Sequence, residues 1–308
     1  DLLPAGAPVV LGDLVQHWPA VHAARESPRA LVDFLRRFDR GKLIPLLEGP
    51  PSIRGRLFYR EDMKGLNFAR TPAAIGESLE RLLSHVNDPA PAAMFIEAMP
   101  LDAYLPDFAA AHPMQLVPED CQPRMWIGNS VTVQTHFDLF SNIACVVAGR
   151  RRFTLFPPEQ LQNLYIGPLD FTPAGQAISL VDFKRPDLEL FPKFAEAMRH
   201  AQVAELEPGD AIFIPSMWWH HIEALDSFNV LVNYWWRQSP GFMDSPINAL
   251  MLAIMTVRDL PKAQRDAWHN LFRHYVFEAD EKNASDIPES ERLGVAPRDA
   301  DAASARRA

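Results

Sequence analysis

The sequence has few cysteines, no excess of basic residues and no long apolar run. Two of its 308 residues are cysteine, Cys121 and Cys145, so a disulfide framework is excluded and a reducing, cytoplasmic location is expected. The 39 acidic residues outnumber the 30 basic ones, which disfavours nucleic acid as a partner because nucleic-acid-binding surfaces are basic. No stretch approaches the ~20 apolar residues of a membrane span and no signal-peptide pattern opens the chain, so no membrane association is expected.

Glycine is also sparse, with 14 residues against 28 prolines, which predicts many short elements joined by rigid turns. Hydrophobic residues make up 48% of the chain and charged residues 22%, a composition typical of globular proteins and not of disordered ones. A chain of this length forms one large domain or two ordinary ones, and it can bury a hydrophobic core without stabilising disulfides or structural metals.

Four segments differ in pattern. Residues 1–110 mix helical and irregular stretches that we expect to pack on the next segment, with helices predicted after Ser27-Pro28 and after Thr71-Pro72. Residues 111–240 contain the β-rich stretches, with an insert at about 157–200. Residues 241–280 predict a helical hairpin, and residues 281–308 a flexible tail.

The β-rich stretches are short, and turn residues separate them without regularly alternating helices. This pattern predicts a mainly β fold with helical additions, an antiparallel sandwich or jelly roll, and argues against a parallel sheet. The predicted strands cover residues 125–127, 130–137, 142–147, 151–156, 201–206, 210–214 and 229–235.

Two histidines and an aspartate are candidate metal ligands. His136 and Asp138 are two positions apart on a predicted strand, so their side chains share a face. A later segment ends in the adjacent residues His220 and His221, either of which would complete a triad of two histidines and one carboxylate. Such a triad holds Fe(II) and leaves one face of the ion open. His-x-Asp alone is a common chance match, whereas the two segments together in a β-rich frame are a much stronger signal.

Four segments in this order resemble the JmjC and cupin-like (cupin 8) Fe(II)/2-oxoglutarate-dependent oxygenases. They are residues 135–138, 149–158, 208–223 and 232–236. The likeness is greatest to the branch that includes the asparaginyl hydroxylase of hypoxia-inducible factor and its bacterial relatives. It implies a double-stranded β-helix core, with Fe(II) and 2-oxoglutarate as cofactors, and an insert that shapes the substrate channel.

The resemblance also implies roles for individual residues. His136, Asp138 and His220 become the metal-binding, catalytic triad, because the ligand in this family directly follows an aromatic pair. His221 then points away from the metal, as a supporting or surface histidine. Arg151 takes the position of the cation that holds the far carboxylate of 2-oxoglutarate, where many relatives have lysine. The alternative is that Arg151 and its neighbours are three solvated arginines on an edge strand.

Four further positions can be compared with the family pattern: two match it and two depart from it. Asn142 and Asn233 match polar positions that line the co-substrate pocket of the family, although ordinary backbone contacts would also satisfy them. Val133 stands where relatives usually have threonine or serine, and Phe95 where several have a tyrosine. If both alignments hold, two hydroxyl donors to 2-oxoglutarate are missing.

Three functions therefore remain open. The first is an oxygenase that hydroxylates a protein or peptide side chain or a small molecule. The second is a non-catalytic metal- or ligand-binding cupin with a regulatory role, and the third is a metal-dependent cupin enzyme that does not use 2-oxoglutarate.

The C-terminal helices bear on the oligomeric state. Two apolar stripes run along them, at residues 247, 250, 251, 254 and 255 and at residues 268, 271, 272, 275 and 276. They resemble the dimerisation helices of the asparaginyl hydroxylase, so we expect a homodimer through these helices, with a folded-back monomer as the alternative.

Overall fold

In the computed structural model, which describes residues 6–237, 239, 243–280 and 285–288, twelve short strands form two sheets. Every pair of neighbouring strands is antiparallel. The strands are β1 (Val9–Leu11), β2 (Leu43–Gly49), β3 (Ala69–Ala74), β4 (Ala93–Pro100), β5 (Pro123–Gly128), β6 (Thr132–His136), β7 (Ser141–Ala148), β8 (Arg151–Phe156), β9 (Gln202–Leu206), β10 (Ala211–Ile214), β11 (Trp219–Ala224) and β12 (Asn229–Trp236).

Eight α-helices lie between and after the strands of the described chain. They are α1 (Pro19–Glu26), α2 (Pro28–Arg36), α3 (Ile75–Ser84), α4 (Leu101–Tyr104), α5 (Phe108–Ala111), α6 (Phe194–Arg199), α7 (Pro246–Thr256) and α8 (Lys262–Phe272). The chain divides into two units, Asp1–Arg237 with all the strands and Gln238–Ala308 with α7 and α8.

The two sheets of the first unit face each other as a jelly roll. The larger has the order β1-β10-β7-β12-β5-β4-β2-β3, and the smaller has the order β6-β11-β8-β9. Central strand β7 is buried on both faces, so its sequence reads as a continuous apolar run. Its residues Ala144 and Val146 pack in the space between the sheets, against Phe153 and Leu155 of β8. Alternate positions on β7, β8 and β12 therefore point into this inner space.

The outer face of the larger sheet packs on the N-terminal helices. Ile143, Cys145 and Val147 of β7 belong to a core that also contains residues of α1, α2 and α3. The helix predicted after Ser27-Pro28 is α2: Ser27 caps it by accepting a hydrogen bond from the Ala30 amide at 3.1 Å.

The first 110 residues contribute more strands than the sequence predicts. Strands β1 to β4 all join the larger sheet, and helices α1 to α3 lie between them, so this segment is mixed as predicted and also extends the jelly roll. The seven strands predicted from residue 125 onward are present with small shifts in their bounds, and the predicted mainly β fold with helical additions is confirmed. Strand β11 was not predicted as a strand.

The second unit contains α7 and α8, followed by a π-helical turn at Arg273–Phe277. The helices predicted in residues 241–280 are therefore present. Within the residues that the structure describes, no helix combines the length and the apolar character needed to cross a membrane. The predicted tail, residues 281–308, lies outside the described residues except for 285–288.

Candidate metal and co-substrate site

His136, Asp138 and His220 come together in the inner space between the sheets. His136 ends β6 and lies directly opposite His220 on β11. Asp138 follows two residues after His136, and one ligand atom from each of the three residues lies within 4.8 Å of the others. Nε2 of His136 is 4.0 Å from Oδ1 of Asp138, and Nε2 of His220 is 3.6 Å from Oδ2. Two imidazoles and one carboxylate thus converge on one point.

Backbone carbonyls orient both histidines for metal binding. Nδ1 of His136 donates to the carbonyl of Gln134 at 2.8 Å, and Nδ1 of His220 donates to that of Trp218 at 2.9 Å. Because Nδ1 of each ring donates to a carbonyl, it is Nε2 that each ring turns toward the centre. Burial, reinforced by the nearby His136, lowers the pKa of His220 to about 4, so this ring is neutral at pH 7.

The carboxylate of Asp138 is held on one side only. Its Oδ1 accepts a hydrogen bond from Nε2 of Gln176 at 3.0 Å. Its Oδ2 is buried and has no hydrogen-bond partner among the described residues. A buried carboxylate oxygen is costly unless something pairs with it, so the donor set fits a divalent cation. Gln176 lies in an irregular part of the insert, and no sequence signal singled it out.

Arg151 is buried beside this centre. Its side chain lines a small cavity that His136, Asp138 and His220 also line. Nε and Nη2 of Arg151 find no hydrogen-bond partner in the described part of the chain. Burial lowers the pKa of Arg151 to about 10, which leaves the guanidinium charged at neutral pH. The cavity therefore contains a cation with unused donors.

The neighbours of Arg151 on β8 behave differently. Arg150 pairs with Asp226 and Arg152 with Glu205, both at the surface. The alternative that all three arginines are solvated is thus wrong for Arg151. Strand alternation is the reason, because residues 151, 153 and 155 share the inner face.

Both predicted asparagines line the same cavity. Nδ2 of Asn233 donates to Oδ1 of Asn142 at 3.2 Å, and Oδ1 of Asn233 accepts from Nε1 of Trp126 at 2.7 Å. The indole nitrogen of Trp235 is buried and lacks a partner among the residues described here. It adds a third unused N–H donor, after Nε and Nη2 of Arg151, to the walls of the site.

The two departures from the family pattern have separate places. Val133 lines the cavity of Arg151 and adds no hydroxyl to it. Phe95 packs against Trp126, with ring centroids 5.9 Å apart, and lines a larger neighbouring cavity of about 390 Å³. The two cavities share the walls formed by Trp126, Val133, His136 and Trp235.

His221 faces away from the three converging side chains, into the insert. Its ring stacks on Phe183 with centroids 4.1 Å apart, and burial lowers its pKa to about 3. It is only 2% exposed, so the expectation of a surface histidine is wrong, while a supporting position is consistent with the packing. The insert also supplies Pro173, Ala174, Gln176 and Ile178 to the larger cavity.

Comparison with known proteins gives the family. Residues 1–242 match the cupin-like domain family (Cupin_8). The chain is 39% identical over 107 residues to tRNA wybutosine-synthesizing protein 5 of Danio rerio, covering 35% of this chain and 30% of that protein. It is 31% identical over 151 residues to human HSPB1-associated protein 1, covering 47% and 30%. It is 26% identical over 240 residues to Jumonji C domain-containing protein 5 of Drosophila melanogaster, covering 76% and 55%.

The chain thus spans between about a third and about half of the length of these relatives. The X-ray structure of E. coli ycfD aligns over 86% of this chain and 63% of its own, with 14% identity and a TM-score of 0.44. The family match covers most of this sequence, including all three converging side chains and Arg151. The chain therefore belongs to the family of cupin-like domains.

Proposed function

We propose that this protein is a cytoplasmic Fe(II)- and 2-oxoglutarate-dependent oxygenase that hydroxylates a protein or peptide side chain or a small molecule. One observation carries the proposal: a buried guanidinium with unused donors and a triad of two histidines and one aspartate line the same cavity. A cation site and an anion site this close together suit a metal-chelating dicarboxylate.

The metal would be held by Nε2 of His136, Nε2 of His220 and a carboxylate oxygen of Asp138. This donor set suits Fe(II) and leaves one face of the ion for further ligands. When bound, Fe(II) with 2-oxoglutarate and O₂ supplies the oxidising chemistry, and the protein supplies orientation and exclusion of side reactions. Gln176 keeps the carboxylate of Asp138 turned toward the metal position through its bond to Oδ1.

Arg151 would bind the distal carboxylate of the co-substrate. Its unpartnered Nε and Nη2 supply two donors for a charge-assisted contact with a carboxylate, which is stronger than a neutral hydrogen bond. Asn142, Asn233 and the indole nitrogen of Trp235 are polar groups in the same walls.

The larger cavity would admit the substrate. It reaches His136, so a group placed in it lies next to the metal position. Its apolar walls keep water away from the reacting group and thereby limit unproductive oxidation.

The second candidate is a binding cupin without turnover, and one observation favours it. Val133 lines the cavity of Arg151 where relatives supply a hydroxyl, so one hydrogen-bond donor to the co-substrate is missing there. A 2-oxoglutarate-independent metal enzyme would share this feature.

The test is conversion of 2-oxoglutarate to succinate by the Fe(II)-loaded chain in air. We expect slow succinate formation without substrate, lost in His136→Ala and in Asp138→Ala. The matched control is His22→Ala, an exposed residue on α1. Succinate formation that persists in both triad variants would contradict the proposal, and its absence in the wild type together with tight metal binding would favour the binding cupin.

A further inference from the structure

The larger cavity contains one carboxylate, that of Glu97. The cavity measures about 390 Å³ and is walled by aromatic and aliphatic side chains, with Glu97, Arg124 and His136 as its titratable lining residues. The side chain of Glu97 is only 22% exposed. A half-buried carboxylate in a cavity with mainly apolar walls is costly, and such groups usually have a binding partner or a functional role.

Glu97 lies on the cavity face of β4, two residues after Phe95, at a point where the strand is distorted. Ile96 pairs with Ile127 and Met99 with Met125, so Glu97 and Ala98 together oppose the single residue Trp126. This is a β-bulge, and Ala98 within it adopts the left-handed region with φ of 46°. A left-handed conformation is unfavourable for alanine and persists only where the surrounding structure enforces it.

Arg124 holds the bulge in place. Its Nη1 donates to the carbonyl of Ala98 at 3.2 Å, and its guanidinium lies 5.7 Å from the centre of the Trp235 ring. Arg124, the one arginine or lysine among the described residues of the lining, is thus engaged in holding the backbone and in stacking on an aromatic ring.

Glu97 is only partly compensated by its neighbours. Nη2 of Arg70 donates to Oε2 of Glu97 at 3.2 Å and also to the carbonyl of Pro173 in the insert. Arg70 is 42% exposed, so solvent screens much of its attraction. Burial still raises the pKa of Glu97 above its ordinary value in spite of Arg70. The carboxylate therefore has capacity for a further cationic partner.

The walls around Glu97 suit a cation as well. Phe68, Phe95, Trp126 and Trp235 all line the cavity. Aromatic faces attract guanidinium and ammonium groups, and a desolvated site strengthens this attraction. A carboxylate among aromatic rings is thus a recognition element for a positively charged side chain.

We propose that Glu97 determines substrate specificity and that the cavity takes a cationic, guanidinium- or ammonium-bearing side chain. The inference rests on the proposed function in that it assigns the larger cavity to substrate. In this arrangement Glu97 accepts hydrogen bonds from the charged end of the substrate side chain, and the aromatic walls contact its aliphatic part. That aliphatic part passes the metal position next to His136.

The test measures binding without turnover, using the full metal-free chain and ligand-observed NMR titration. The probes are blocked tripeptides, acetyl-glycyl-X-glycine amide, in which X is arginine, its neutral isostere citrulline, or glutamate. We expect the arginine probe to bind about tenfold more tightly than the citrulline probe, since hydrogen bonds to charged groups are the stronger ones. In Glu97→Gln the difference should fall to within about twofold.

Two variants control for structure. Glu48 lies on the neighbouring strand β2, is half-buried and paired with Arg81 of α3, and does not line the cavity. Glu48→Gln should therefore leave the preference for the arginine probe unchanged. Glu97→Asp keeps the charge and should retain part of the preference.

Three outcomes would overturn the proposal: equal binding of the arginine and citrulline probes, a preference for glutamate directed by Arg124, or no binding of any probe. Mn(II) binding is titrated separately. Failure to bind metal would count against the proposed function alone, because the peptide titration needs no metal.

Discussion

Arg151 is a residue in which binding and stability oppose each other. The guanidinium is buried, and its Nε and Nη2 lack partners within the described residues. Such unsatisfied donors destabilise the ligand-free protein, and they are well prepared to bind an anion. The same argument applies, with the opposite charge, to Oδ2 of Asp138.

Replacing Arg151 should therefore separate the two effects. In Arg151→Met we expect the free energy of unfolding of the ligand-free protein to rise by about 1–3 kcal/mol, because two unpaired buried donors are removed. The affinity for 2-oxoglutarate should fall roughly 100-fold, since a buried charged contact is lost. Urea unfolding and calorimetric titration measure the two quantities.

Arg152→Met is the matched control, on the same strand but 40% exposed and paired with Glu205. It should change neither quantity appreciably. A marked loss of stability in Arg151→Met would show that the guanidinium is satisfied in the folded protein, against this account.

A second residue whose role can be tested by substitution is Gln176. Gln176→Ala removes the hydrogen bond to Oδ1 of Asp138 and leaves the carboxylate free to turn, so metal affinity should fall by at least about tenfold. Competition with a chelator of known affinity measures this. Gln162→Ala, exposed and elsewhere in the insert, should leave metal affinity unchanged; equal affinities in all three proteins would refute the orienting role.

Among the elements, α1 depends on a buried histidine at its N-terminus. Nε2 of His112 accepts a hydrogen bond from the Ala20 amide at 3.1 Å, while Nδ1 donates to the carbonyl of Phe108 at 2.7 Å. The ring stacks on Phe108 with centroids 3.8 Å apart and meets Trp18 edge-on. A free amide at the helix start is thereby satisfied by a neutral imidazole.

This arrangement predicts a pH dependence of stability. Burial, assisted by the nearby His17, lowers the pKa of His112 below its ordinary 6.5. Below that pH the unfolded chain takes up a proton that the folded chain does not. The contribution of His112 to the free energy of unfolding is therefore present above pH 6.5 and is lost as the pH falls toward the folded-state pKa.

Urea unfolding at a series of pH values between about 5 and 8 tests this pH dependence, because that range brackets the ordinary histidine pKa of about 6.5. His112→Asn should be less stable at high pH and less sensitive to pH than the wild type. The exposed His22→Asn on α1 should follow the wild-type curve. Parallel curves for His112→Asn and the wild type would contradict the assignment.

Some strands could be predicted from the sequence and others could not. The strands with continuous or alternating apolar residues, such as β7 and β8, were predictable because their pattern reflects burial on one or both faces. Strand β11 was not predicted because its centre is His220-His221, and polar residues there hide the alternation. Strands β2 and β3 contain Pro45 and Pro72, which read as turn signals although they lie near one edge of the sheet.

The residues of the candidate site also fall into those that the sequence could predict and those that it could not. His136, Asp138, His220 and Arg151 lie on or beside strands and stand in motifs, so their convergence could be predicted from alternation and resemblance. Gln176 and the bulge at Glu97 could not, since each depends on tertiary contacts between segments far apart in sequence.

At the scale of the whole molecule, the C-terminal helices predict association. Leu252 and Met255 of α7 are 61% and 80% exposed, and α7 is apolar around most of its surface. Helices of this composition are normally buried against other protein. We expect a homodimer through α7 and α8, with twice the chain mass of 34.7 kDa in light scattering.

The double variant Leu252→Glu/Met255→Glu should be monomeric with an unchanged metal affinity. Leu190→Glu, at a 65% exposed position in the first unit, is the matched control and should remain dimeric. A monomeric wild type at micromolar concentration would contradict the prediction.

Anaerobic titration of the Fe(II)-loaded chain with 2-oxoglutarate, followed through the visible metal-to-ligand charge-transfer band, tests whether the triad and Arg151 form one site for Fe(II) and 2-oxoglutarate. We expect a band in the wild type and in Arg152→Met, its loss in His220→Ala, and its appearance only at much higher 2-oxoglutarate in Arg151→Met. Bound Fe(II) with no band in the wild type would contradict this expectation and would leave a metal-binding cupin that does not use 2-oxoglutarate.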